Sequence, residues 1–187
     1  MNEFRKKHRL YLTIKRVNAI IFSILFILIL SPILLILLLV TLIDSKGHPI
    51  FTQERYGIKR STFNIYKFTS MRSGEITRWG KFIRFTSLDE LPQLFNILKG
   101  DMTFIGPRPL SIKEKDIDTL RMSKEYSPYF VKPGLTGYAQ IHFNFKESLE
   151  IKANYDSYYV EHFSIWLDIK ILFITIFKLI PISIHRK

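Results

Sequence analysis

The sequence predicts a small membrane-associated α/β (α+β) domain, held by a re-entrant N-terminal membrane helix and by interfacial amphipathic helices. Three observations carry that prediction. Residues 19–43 read AIIFSILFILILSPILLILLLVTLI and contain no charged residue; roughly 20 apolar residues let a helix cross a bilayer's hydrocarbon. Basic residues crowd both ends of that run. Beyond it, residues 44–162 are polar and mixed, with short strand-like and helix-like stretches.

The first element spans residues 1–43. Arg5, Lys6, Lys7, Arg9, Lys15 and Arg16 precede the apolar run; Lys46, Arg55, Lys59, Arg60, Lys67 and Arg72 follow it. The positive-inside rule draws both flanks to the cytoplasm, which one straight span cannot satisfy. Ser31-Pro32 lies mid-run. Proline removes a backbone donor and crowds the preceding turn, and Ser31 can satisfy a freed backbone group. A helix broken at Ser31-Pro32 and returning to the same face obeys both constraints; a kinked span is the competing reading. A cleaved signal peptide fits poorly, because the run is too long and no small-x-small site follows it.

Residues 44–162 form the expected cytoplasmic domain. Residues 49–53 and 62–68 resemble strands around a turn at Tyr56-Gly57. A helix is expected to start near Asp89, with Leu91, Leu94, Phe95 and Leu98 as its apolar stripe and Gly100 closing it. Residues 112–122 have helical composition, Lys132-Pro133-Gly134 opens a loop through Gly137, and residues 146–160 suggest a polar helix. The last element, residues 163–187, is apolar but interrupted by Asp168, Lys170, Lys178 and Pro181, which suits an interfacial amphipathic helix; a core helix of the domain is the alternative.

Composition narrows the partners. With 28 Lys+Arg against 16 Asp+Glu, the net charge of +12 favours anionic ligands. The absence of cysteine excludes disulfides and Cys-based metal sites. No RNP-like aromatic motif, helix-turn-helix spacing or zinc finger points to nucleic acid. There is no Walker-A loop and no GxGxxG, so nucleotide phosphates must be held another way.

The chemistry concentrates in residues 84–109, RFTSLDELPQLFNILKGDMTFIGPRP. Pro92 must lie in the first helical turn, where its missing N–H does no harm, so Asp89 and Glu90 fall at or beside the N-cap, with Ser87 and Thr86 as alternative caps. There a carboxylate is expected to stay ionised, and the same end can hold phosphate, with Arg84 upstream. Asp89 and Glu90 together could hold Mg²⁺, which would screen carboxylate from phosphate. Taken alone, such a pair is also an ordinary helix cap.

The string SLDELPQLFNILKGDMTFIGPRP strongly resembles the signature of the bacterial sugar transferases, the monotopic phosphoglycosyl transferases. FTQERYG, FNIYKFTSMR, TRWGKFIR and VKPGLTGYAQI resemble further blocks of that family in order, as do the C-terminal YDSYYVEHFSIWLDIKILFITI and the N-terminal helix with its central Ser31-Pro32. The small form of the family fits best. The resemblance implies transfer of a sugar-1-phosphate from a UDP-sugar to polyprenyl (undecaprenyl) phosphate, releasing UMP, in two steps through an aspartyl-phosphosugar. Asp89 would be the nucleophile and Glu90 its acid/base or positioning partner. Lys67, Arg84 and Arg108 would contact phosphate, and Asp156 matches an acidic position of the C-terminal block. Membrane lipid would be a partner, nucleic acid would not, and the site would face the cytoplasm at the bacterial inner membrane. The chain departs from the family after Gln140: it reads IHFNFKES, with no arginine, so that function is absent or passes to His142 or Lys146. The segment RSGEI after Met71 is also short. The alternative from another class is a non-enzymatic membrane-anchored basic adaptor binding acidic lipid or nucleic acid; it explains the charge and the apolar run but not the paired carboxylates.

Overall fold

The structure, a computed structural model, describes residues 1–144 and 147–179. A short helix α1 (Asn2–Lys7) leads into the 36-residue helix α2 (Arg9–Asp44). Strands β1 (Ile50–Tyr56) and β2 (Thr62–Phe68) form an antiparallel pair, followed by the small hairpin β3 (Met71–Arg72) and β4 (Glu75–Ile76). Helices α3 (Arg78–Phe85) and α4 (Gln93–Lys99) bracket a 3₁₀ turn, Leu88–Glu90. Then come β5 (Thr103–Ile105), α5 (Lys115–Met122), β6 (Gly134–Thr136), α6 (Tyr138–His142), α7 (Leu149–Glu161) and α8 (Ile165–Leu179). β5 and β6 pair in parallel. Helices and separate two-stranded ladders make the class α+β.

The expected break at Ser31-Pro32 is not a loss of helix: α2 runs through it with Pro32 inside. Proline at 32 deprives the Leu28 carbonyl of its usual i+4 donor, and the Ser31 hydroxyl donates to that same carbonyl at 2.8 Å. The orphaned group is thus satisfied locally.

One face of α2 is part of the domain's core. Ala19, Ile27 and Leu30 pack with Ile65, Leu94, Ile97 and Met102; Leu34, Leu37 and Leu38 pack with Phe68, Ile83 and Trp79. The contact residues recur every three or four positions, the spacing of one helical face. The opposite face exposes Ile21, Leu25, Leu28, Ile29, Leu35, Ile36 and Leu39. Polar ties fix both ends. The Arg16 guanidinium donates to the Ile97 and Leu98 carbonyls at 2.6 and 2.7 Å. At the other end Trp79 Nε1 donates to Thr41 Oγ1 at 2.9 Å, and Thr77 Oγ1 to Asp44 at 2.6 Å.

α8 turns its polar residue inward. Asp168 is buried and pairs with Lys15 of α2, while Tyr159 donates to it at 2.6 Å. Trp166, Phe173, Ile176 and Phe177 face outward. Residues 180–187, including Pro181, and residues 145–146 lie outside the described residues.

Three local expectations change. β1 extends to Tyr56, and the connection is Gly57–Ser61 rather than a tight turn at Tyr56-Gly57, with Lys59 and Arg60 both at positive φ. The stretch read as a loop after Pro133 is strand β6. The helix expected at Asp89 begins at Gln93, after Pro92; its inward residues are Leu94, Asn96 and Ile97, while Phe95 is exposed. Gly100 does close it, at φ 98°.

Candidate active site

Strand pairing aims the first cation. Phe51 opposes Lys67, Gln53 opposes Ile65 and Arg55 opposes Phe63, so these six residues share one face of the ladder. Ile65 packs into the core beside α4, and Lys67, two positions on, reaches the carboxylate pair. α4 is tied to the open edge of β2 by the fully buried Asn96. Its Oδ1 accepts from the Tyr66 N–H at 2.9 Å and its Nδ2 donates to the Asn64 carbonyl at 2.7 Å. A strand edge that would otherwise be unpaired is thereby satisfied.

The carboxylates stand in a tight turn. Asp89 and Glu90 lie in the 3₁₀ turn ahead of α4, not at its N-cap, because Ser87 takes a left-handed conformation (φ 57°) that redirects the chain after α3. Such a conformation costs a non-glycine residue about 1–2 kcal/mol, and strain of this kind gathers where geometry is functional.

The two neighbours differ in their partners. Glu90 Oε1 accepts from Lys67 Nζ at 2.5 Å, and Arg108 Nη2 lies 3.7 Å from the same oxygen. Burial opposes the charge of Glu90, but Lys67 and Arg108 outweigh it and hold the carboxyl below its usual range. Asp89 is 9% exposed and, among the described residues, forms no ion pair. Burial pushes its pKa up, against the pull of Lys67 and Arg84 and with the help of the Glu90 charge. The expectation that Asp89 would be held strongly ionised by a helix end is therefore corrected: the helix starts too late, and burial dominates.

The remaining expected residues divide. Arg84, at the end of α3, donates through Nε to Ser70 Oγ at 2.7 Å and faces the pair electrostatically. Arg108 is delivered by the Gly106-Pro107-Arg108-Pro109 segment, which crosses the Pro-Gly segment at backbone contact. The Gly106 N–H donates to the Thr136 carbonyl at 2.8 Å and the Gly134 N–H to the Pro107 carbonyl at 3.0 Å. A Cβ on Gly134 would lie 2.1 Å from the Gly106 nitrogen, and one on Gly137 2.1 Å from its oxygen. Only glycine allows that crossing. Asp156 does not reach the site. It is 1% exposed and pairs with the equally buried Arg121, whose Nη1 donates to the Arg108 carbonyl at 2.9 Å. Its position is one of support behind Arg108, not substrate contact. His142 stacks on Tyr138 at 4.3 Å, on the face shared by α6 and α7, and is not brought to the carboxylates; Lys146 lies outside the described residues.

The structure adds Arg55 and Gln93, which with Lys67 and Arg108 line a small cleft beside Glu90. Arg55 holds the Pro109 carbonyl at 3.2 Å and Gln53 at 2.5 Å, and its Nε is buried without a hydrogen-bond partner among the described residues. The period-2 pattern of β1 and β2, once registered, places Arg55 on the Lys67 face; only the register was missing from the sequence.

For a metal the donor set is sparse. Among the described residues no group of three or more His, Cys, Asp or Glu could hold one, and one Glu90 oxygen faces two cations. Two neighbouring carboxylates do suit Mg²⁺ that arrives with a substrate diphosphate, since that ion takes one or two carboxylates and completes its shell with phosphate oxygens and water.

Comparison with known proteins gives a concordant result. The family described as bacterial sugar transferase matches residues 10–181. The chain is 39% identical over 183 residues to a UDP-glucose:undecaprenyl-phosphate glucose-1-phosphate transferase of Klebsiella pneumoniae, covering 88% of this chain and 39% of that one. It is 36% identical over 184 residues to a UDP-N-acetylgalactosamine-undecaprenyl-phosphate N-acetylgalactosaminephosphotransferase of Aeromonas hydrophila (89% and 44%). It is 33% identical over 181 residues to a UDP-glucose:undecaprenyl-phosphate glucose-1-phosphate transferase of Caulobacter vibrioides (87% and 68%). The chain thus spans less than half the length of the first two relatives.

Proposed function

The chain belongs to the bacterial sugar transferase family, and from that membership we propose that it transfers a sugar-1-phosphate from a UDP-sugar to undecaprenyl phosphate. UMP and undecaprenyl-diphosphate-sugar are the products. The observation that carries this reading is the asymmetry of the carboxylate pair: Lys67 and Arg108 both address Glu90, while Asp89 is buried and has no ion-pair partner among the described residues.

In the first step an Asp89 oxygen attacks the β-phosphorus of the donor. The bond from that phosphorus to the bridging oxygen breaks, UMP leaves with the electron pair, and an acyl phosphate to the sugar remains on Asp89. In the second step an oxygen of undecaprenyl phosphate attacks the same phosphorus and releases Asp89. A buried carboxylate that forms no ion pair among the described residues supports the nucleophilic role in its ionised form, since pairing would tie up its lone pairs. Glu90 orients Lys67 and Arg108, whose charges suit the non-transferring phosphate oxygens; Arg84 flanks the other side. Asp89 and Glu90 would hold Mg²⁺ together with the donor's diphosphate, where it would neutralise charge.

The same reading places the site at the cytoplasmic face of the inner membrane. A helix of 36 residues is about 54 Å long, and one that spans the bilayer parts its flanks by about 30 Å of hydrocarbon. Here Arg16 and Thr41 are tied to a single domain, which supports both flanks of α2 lying on one side of the membrane.

Asp89→Asn tests the chemistry. UMP release should be abolished with folding intact, and rapidly quenched natural protein given donor alone should carry a phosphosugar on Asp89. Full turnover by the variant removes Asp89 as nucleophile. Because the relatives' names carry two different sugars, a panel of UDP-sugars read by UMP release identifies the donor. For topology, single cysteines at Asn2 and Lys113 of this cysteine-free chain should label from the same face; labelling from opposite faces refutes re-entry.

A further inference from the structure

At the far end of α4 from the carboxylates, the N-terminal helices and the domain enclose a cleft of about 620 Å³. Arg5, Lys6, Arg9, Arg16 and Lys132 line it, and among the described residues none of these five is in an ion pair. Arg16 spends its donors on the neutral Ile97 and Leu98 carbonyls, so its charge stays uncompensated. A Cβ on Gly100 would sit 3.1 Å from the Arg16 guanidinium and 3.2 Å from Lys132 Nζ, which sets those two cations side by side. Burial, then the Arg16 charge, lower the pKa of Lys132. Asp101 draws Lys132 the other way, but cations gathered this closely, none of them ion-paired among the described residues, repel one another until an anion joins them.

The cleft does not end in polar surface. Through Lys15, Ala19 and Thr103 it continues into a second groove of about 410 Å³ between α2 and α8. That groove is walled by Phe22, Phe26, Phe104, Ile165, Ile169 and Leu172. Lys15, at the junction, is already neutralised by Asp168. The channel is therefore cationic at one end and apolar at the other, beside helices with apolar outer faces.

We propose that this channel is a binding site for an anionic phospholipid, with its phosphate headgroup among Arg5, Arg9, Arg16 and Lys132 and an acyl chain along Phe22, Phe104 and Leu172. The charge separation along the channel matches that of such a lipid. The cleft adjoins the C-terminal end of α4, a helix about 10 Å long whose other end follows the carboxylates, and the linings described for it and for the carboxylate cleft share no residue. Its occupant is therefore distinct from the acceptor whose phosphate reacts. The inference rests on the membrane-bound reading of α2 and not on the transfer chemistry.

Native mass spectrometry tests it, on the full chain released from nanodiscs with equal phosphatidylglycerol and phosphatidylcholine. The natural chain should retain phosphatidylglycerol at least tenfold over phosphatidylcholine. Arg5→Gln/Arg9→Gln, at two exposed positions, should reduce that preference to under threefold with UMP release unchanged. Leu172→Gln should weaken retention of the long-chain lipid but not of a dihexanoyl analogue. Equal retention of both lipids by the natural chain overturns the proposal. So does a preference that survives the double substitution, displacement by millimolar inorganic phosphate, or displacement by undecaprenyl phosphate at equal concentration.

Discussion

Replacing Lys67 with methionine keeps an unbranched side chain, one atom shorter, and deletes its charge. In the structure that ammonium lies 2.5 Å from Glu90 Oε1, with the two side chains 17% and 23% exposed. Only Arg108 remains for Glu90 afterwards, at 3.7 Å and from a side chain 40% exposed. A hydrogen bond to a charged group is worth about 1.5–3 kcal/mol net, and breaking a fully buried pair costs about 3–5 kcal/mol. Partial access to water places Lys67→Met at about 2 kcal/mol, or a fall in Tm of roughly 4–8 °C for a chain of this size.

The pH dependence has a definite sign. Lys67 lowers the pKa of both Asp89 and Glu90, so its loss raises both. Glu90 sits below its usual value; it contributes stability above the unfolded pKa, and that is lost as pH falls through the folded value. Asp89 sits above its usual value; its contribution is fully present only below the unfolded pKa and is lost as pH rises through the folded one. Raising either pKa further disfavours the folded state at neutral pH, so the gap between natural chain and variant is widest there and closes as pH falls through the lowered Glu90 pKa. In the donor half-reaction the variant should lose roughly 10²-fold in UMP release, with its acid limb at higher pH because protonated Asp89 cannot attack. Thermal unfolding across pH and quenched-flow UMP release read both effects. A stability gap independent of pH, or an acid limb that moves down, refutes the role given to Lys67.

Three further substitutions probe the supports of the site. Asn96→Ala strips partners from the Tyr66 N–H and the Asn64 carbonyl; at about 1–3 kcal/mol per buried unsatisfied group, Tm should fall by roughly 10 °C, and a loss under 2 °C would contradict it. Asp156→Asn leaves the buried Arg121 without its carboxylate, at about 3–5 kcal/mol. Because Arg121 holds the Arg108 carbonyl, KM for the donor should rise as well, and an unchanged KM separates pure stability from positioning. Gly134→Ala places a Cβ 2.1 Å from the Gly106 nitrogen; the crossing must open, and UMP release should drop more than tenfold while far-UV circular dichroism is retained.

Sequence made the long apolar helix legible because an uncharged run needs no tertiary context, and it made the carboxylate pair legible because Pro92 and Gly100 bracket a short helix. It misplaced what depends on backbone detail. Nothing in Thr86-Ser87-Leu88 announces a left-handed serine, yet that residue moves Asp89 out of the helix and into a buried turn where desolvation governs its charge. Arg55 escaped because strand register, not composition, aligns it with Lys67. Asp156 resembled a site residue since a carboxylate's type is visible in sequence while its burial beside Arg121 is not. The parallel β5–β6 pair was hidden in a Pro-Gly segment, where glycine serves backbone contact rather than flexibility.

The long apolar helix α2 cannot be removed to leave a folded domain. Deleting residues 1–43 takes away Ala19, Ile27 and Leu30 from Ile65, Leu94, Ile97 and Met102, and Leu34, Leu37 and Leu38 from Phe68 and Ile83. It also takes Phe4, Tyr11 and Leu12 from the third cluster, around Tyr159 and Phe163. Each uncovered Leu, Ile or Phe forfeits about 1.5–3 kcal/mol of burial, and several at once exceed the roughly 5–15 kcal/mol that holds an ordinary domain together. α4, which follows the carboxylates, would lose both its apolar cover and the Arg16 tie at its C-terminal end. The truncated chain should aggregate, or persist only as a species that binds 1-anilinonaphthalene-8-sulfonate and releases no UMP, in detergent as in buffer. A monomeric, active fragment beginning at Asp44 would show that α2 merely rests on the domain. The packing instead makes the docking of α2 and the assembly of the turn that carries Asp89 parts of a single folding event.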